Sequence, residues 1–102
     1  MKVSRLLLLL ALLIPAPVLA VDVRRIRGGC DVAAVHRLVR QWNSKLARCA
    51  ATGPVVLHVA PDGRVERVDA TPAAKPCWKA RTAKWRVPMR EAGRCTVEVG
   101  TP

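Results

Sequence analysis

The chain has 102 residues, 51% of them apolar and 25% charged, and its 18 Lys and Arg against 7 Asp and Glu give a formal charge of +11. So short a chain makes one small domain with a modest core, for which disulfides or another staple supply part of the stability. A field this positive favours anionic partners or serves solubility alone, while the absence of Phe and Tyr argues against the exposed aromatic platforms that bind single strands.

Residues 1–20 read as a secretory signal peptide. Lys2 and Arg5 precede the apolar run "LLLLLALLI", which Pro15 and Pro17 break before "VLA", the order of basic start, apolar core and small residues that a signal peptidase meets. A membrane span needs about 20 apolar residues, more than this stretch offers, and the first cysteine lies too far from it for a lipoprotein. Cleavage after Ala20 leaves 82 residues; 18 Lys and Arg less Lys2 and Arg5 is 16, against all 7 acids a net charge of +9. A periplasmic or secreted location follows, with no transmembrane anchor after cleavage.

"VDVRRIRGG" lacks periodicity, and residues 21–32 are expected to be an irregular or edge segment ahead of a domain over 33–100. Val35, Leu38, Val39, Trp42, Leu46 and Cys49 step as one face of a helix, with Asp31 as its N-cap and Gly53 placed to end it in a left-handed turn. "PVVLHVA" switches to period two, with Val55, Leu57 and Val59 on one face. "PDG", Pro61 to Gly63, turns the chain, and "RVERVDA" returns, where the opposite parity of Val65 and Val68 demands a bulge or a strand shift. "PCWKARTAKWRVP" reads as a second helix with Pro76 in its first turn and Trp78 and Trp85 on one side, ended by Val87-Pro88. "RCTVEV" alternates again, with Cys95, Val97 and Val99 inward and Arg94, Thr96 and Glu98 outward. The expected fold is α+β in the order α-β-β-α-β: a three-stranded antiparallel sheet with two helices on one face.

Four cysteines at gaps of 19, 28 and 18 residues lack the close C-x₂₋₄-C pairing of zinc sites and fit the disulfides of an exported domain. Cys49 closes the core face of the first helix and Cys77 opens the second, while Cys95 points inward toward the helices and Cys30 stands just before the first helix. Of three possible connectivities, Cys49–Cys77 with Cys30–Cys95 suits this layout.

"LARCAATGPVVLHVAPDGRVERVDATP…PCWKARTAKWRVP…GRCTVEV" resembles the AgmX/PglI C-terminal domain, a relative of the TonB C-terminal domain. The resemblance rests on Cys49, Gly53 to Val55, Asp62-Gly63-Arg64-Val65, Cys77, Trp85 and Val87-Pro88, and covers about residues 33–100. The chain departs from the pattern in Ala50 and Val87, where the family commonly has aromatics, and in Cys30 and Cys95, which are additions. The resemblance implies a fold and a mode of docking: an extended partner adding to an exposed sheet edge, here the last strand with Arg94, Thr96 and Glu98. It implies no energy transduction, because the anchor and long Pro-rich arm of TonB are missing.

The function expected is therefore a non-catalytic envelope interaction module that binds a protein or peptide, with no cofactor or metal. The alternative is a cationic binder of nucleic acid or envelope polysaccharide, using Arg24, Arg25, Arg27, Arg37, Arg40 and Arg48 with Arg86 and Arg90. Hydrolysis by paired histidines is disfavoured, because outward parity puts His36 and His58 on opposite sides of the sheet.

Overall fold

The computed structural model describes residues 21–49 and 53–100; the leader expected over residues 1–20 lies outside them. Its elements are β1 (Asp22–Gly28), α1 (Val32–Gln41), α2 (Asn43–Ala47), β2 (Val55–Val59), β3 (Val65–Asp69), α3 (Lys75–Thr82) and β4 (Cys95–Gly100). The strands form one antiparallel sheet in the order β1-β4-β2-β3. The helices cover one face, where Val35, Val39, Leu46 and Trp78 pack against Val55, Leu57, Val68, Val97 and Val99.

The α+β layout with helices on an antiparallel sheet matches the expectation, but the sheet has four strands rather than three. The added strand is β1, in the segment expected to be irregular or an edge. Val23 pairs with Val99 and Ile26 with Val97, and the register shifts between Val23 and Arg25. Arg24 is the extra residue, so two apolar side chains three apart reach the same face. That bulge hides the alternation by which a strand is read. The same device acts in β3: Val65 pairs with Val59, Arg67 with His58 and Val68 with Leu57, leaving Glu66 as the extra residue.

Three helices stand where two were expected. The Asp31 carboxylate accepts from the Ala34 amide at 3.2 Å and caps α1. The helix breaks at Trp42, whose φ of −97° and ψ of 5° are not helical. The break turns Asn43 inward, where its side-chain amide donates to the Val21 carbonyl, and sets the Trp42 ring edge-on to Trp85 at 6.2 Å. Gly53 has a φ of +97°, but α2 has already ended at Ala47.

Helix α3 stops at Thr82, short of Trp85. The Thr82 hydroxyl donates back to the Trp78 carbonyl at 2.8 Å, and the chain leaves as a strap over residues 83–91. The Val87 amide donates to the Gly63 carbonyl and the Asp31 amide to the Pro88 carbonyl, both at 2.8 Å, while the Arg90 amide donates to the Gly29 carbonyl at 2.7 Å. The strap thus ties the hairpin turn to the start of α1. Gly63 has a φ of +87°, and a Cβ there would meet the Val87 backbone. The turn needs glycine twice over.

All four cysteines form disulfides, Cys30 with Cys95 and Cys49 with Cys77, in the expected pairing. Their Cα separations of 5.7 and 5.5 Å lie within the usual range. The first joins the β1–α1 junction to β4, and the second joins the end of α2 to α3.

Candidate docking surfaces

Strand addition needs a row of unpaired backbone N–H and C=O groups, and the structure corrects where that row lies. β4 pairs with β1 on one side and β2 on the other, so the strand expected to be an edge is interior. The cause is β1, which occupies the side that a three-stranded sheet would have left open. Thr96 and Glu98 are half-buried on the uncovered face of the sheet. Arg94 precedes the strand, and its guanidinium donates to Glu66 at 2.8 Å.

The outer strands are β1 and β3. β3 is short, bulged at Glu66 and charged, which are the features that blunt an edge. His58 donates to the Asp69 carboxylate at 2.7 Å and Arg67 approaches it at 3.3 Å. The hydrogen bond from His58, aided by the Arg67 charge, holds the Asp69 carboxyl below the usual carboxylate range. An open groove of about 570 Å³ runs between the hairpin and α3, lined by Val65, Ala83 and Lys79 together with Asp62 and Glu66. β1 has seven residues and pairs regularly from Arg25 to Gly28. Its core-facing Val23 and Ile26 are only half-buried. Arg25 and Arg27 lie on the opposite, uncovered face, beside Val56, Thr96 and Glu98.

The eight arginines expected to form one basic surface fall into separate groups. Arg25 and Arg27 face away from the helices, because strand side chains alternate across the sheet. Arg24 pairs with Asp22 at 3.3 Å and Arg90 with Asp31 at 3.6 Å. Arg37 and Arg86 line a groove between α1 and the strap, together with Leu38, Gln41 and Pro88. Arg40 is exposed on α1, and Arg48 just after α2.

A second charge pattern was missed at the level of motifs, although it is visible in the letters. Residues 32–60 and 70–90 contain no Asp or Glu. They hold Arg37, Arg40, Lys45 and Arg48 around α1 and α2, with Lys75, Lys79 and Arg81 on α3 and Lys84 and Arg86 in the strap. None of these nine forms an ion pair among the described residues. The acids lie on the strands, the hairpin turn, the α1 cap and the end of the strap.

His36 is exposed on α1, whereas His58 sits on the uncovered face of the sheet beside Asp69 and Arg67. Ser44 is exposed on α2. Among the described residues no three His, Cys, Asp or Glu side chains gather to hold a metal ion. Compared with known proteins, the sequence matches no family model, no curated protein and no solved structure.

Proposed function

We propose that the protein is a non-catalytic binding module of the cell envelope or exterior, docking an extended segment of another protein by strand addition along β1. The observation that carries this reading is the edge itself: a seven-residue outer strand with half-buried Val23 and Ile26 on one face and, on the other, Arg25 and Arg27, which form no ion pair among the described residues. An added strand that places apolar side chains beside the valine and isoleucine and acidic ones beside the arginines would complement both faces, since strand addition takes affinity from the main chain and specificity from alternate side chains. Two disulfides suit an oxidising compartment, and no helix of the described residues is long and apolar enough to cross a membrane. The resemblance to the AgmX/PglI C-terminal domain supports docking by an edge, with β1 in the role first expected of β4.

Single proline substitutions at Arg25, Ile26 and Arg27 test the reading. Proline is tolerated in an edge strand where the N–H it removes faces solvent, and there it also blocks an incoming strand. The folded proline variant is expected to lose salt-resistant capture of a protein from envelope extract. Capture unchanged in that variant refutes docking at β1.

A further inference from the structure

We infer that the helical layer is a docking surface for an anionic lipid bilayer, distinct from the β1 edge. The inference rests on the segregation of charge. The helices and the strap carry nine cations without an ion-pair partner, while residues 32–60 and 70–90 contain no carboxylate. An excess of like charge raises the local concentration of anions, and carboxylates approach this layer only near the hairpin, where Arg86 acts on Asp62 and Lys79 shares a groove with Asp62 and Glu66. The uncovered sheet face is more mixed: there Arg67 and Arg94 are tied to Asp69 and Glu66, and Arg25 and Arg27 line a groove with Glu98.

Several of these cations adjoin one another. Arg37 and Arg86 share one groove. The Lys45 ammonium lies 4.7 Å from the centroid of the Trp42 ring, which itself meets Trp85 between Lys84 and Arg86. The Cys49–Cys77 bridge then draws Arg48 toward α3 and its lysines. The guanidinium groups in this array are suited to the phosphates of lipid headgroups.

The side chains decide the kind of anion. Trp78 and Trp85 are buried and Trp42 is half-buried beneath Lys45, so no ring is offered for bases to stack on. Val32 is the one large apolar side chain exposed among the described residues, so the protein adsorbs to headgroups without inserting. The cations spread over three helices and the strap instead of running in a single row, which suits a two-dimensional array of phosphates better than one polymer strand. Adsorbed this way, the molecule turns its uncovered sheet face away from the bilayer.

The test uses the oxidised protein recovered after export, with loss of residues 1–20 confirmed by mass. Co-sedimentation compares phosphatidylcholine vesicles with vesicles that also contain phosphatidylglycerol, at low and high salt. Binding is expected only to the anionic vesicles, and it should fall as salt rises. At about 1 kcal/mol for each cation near an anionic surface, the double variant Arg37→Gln/Arg86→Gln loses about thirtyfold in affinity. The charge-matched control Arg67→Gln/Arg94→Gln keeps its binding, thermal melts confirming that both variants are folded. The β1 proline variants also keep vesicle binding, which separates this surface from the docking edge. No binding to anionic vesicles, salt-resistant binding to neutral ones, equal loss in both doubles, or tighter binding to duplex DNA at the same salt overturns the inference.

Discussion

Removing the Cys30–Cys95 bridge by the double substitution Cys30→Ala/Cys95→Ala is expected to bring the domain close to unfolding. The two bridges are nested, with sequence separations of 65 and 28 residues. With the inner bridge intact, the outer one closes an effective loop of 65 less 28, or 37, residues. The chain-entropy relation gives about 4 kcal/mol for a loop of that size. A domain this small has a total stability on the order of 5–10 kcal/mol, so roughly half is at stake. The native fold itself has little reason to change, since Cys95 is held in register by Gly28 on one side and Val59 on the other. The effect therefore belongs to the unfolded chain, which expands once the crosslink is gone. Urea unfolding followed by circular dichroism reads both consequences. The midpoint should fall sharply, and the slope of stability against urea should steepen as the unfolded state exposes more surface. A variant that loses less than about 1 kcal/mol with an unchanged slope would refute the view that these bridges act by constraining the unfolded chain.

Gly63→Ala and Gly93→Ala separate backbone strain from crowding. Both positions have positive φ, +87° and +118°, but only Gly63 has neighbouring atoms, those of Val87, where a Cβ would stand. Gly93→Ala should cost about 1–2 kcal/mol from the left-handed backbone, and Gly63→Ala clearly more, read as a larger drop in melting temperature; equal drops would count against the hairpin-strap contact. In acid, Asp31, Asp62 and Asp69 set a common trend. The Ala34 amide, the Arg64 amide and His58 respectively are the main causes lowering their pKa values in the folded state. The unfolded chain therefore binds more protons, so these contributions are complete above the usual carboxylate range and are lost as pH falls through the lowered values. Thermal melts should move down over that acid interval, and Asp69→Asn should flatten part of the slope; an unaltered slope would discount the His58 contact.

Much of the fold was legible because it is local. Asp31 before an apolar stripe marks the start of α1, and Pro-Asp-Gly marks the hairpin. The clash of parity between Val65 and Val68 demanded a bulge, which the structure places at Glu66. The spacing of Val23 and Ile26 gives no such sign by itself, and the segment expected to be irregular or an edge is an edge strand bulged at Arg24. A bulge is recognisable when a turn and a partner strand announce the hairpin, and β1 has neither beside it in sequence. Its partner, β4, lies at the far end of the chain. The break at Trp42 was equally silent, because it goes with a ring set edge-on to Trp85 and an Asn43 amide that reaches Val21.

The order of residues by itself determined the start of α1, the β2–β3 hairpin, the start of α3 and β4, along with their apolar faces, and it favoured the sulfur pairing that the structure has. Periodicity and inward parity are properties of neighbouring residues, so they can be read without the fold. Which strand forms the edge, and which cations share a surface, was decided by tertiary structure alone. Pairing between β1 and β4 is a long-range choice that closes one side of the sheet. It moved the open edge from the end of the chain to its beginning, and it placed the arginines of one short stretch across the sheet from those of the helices.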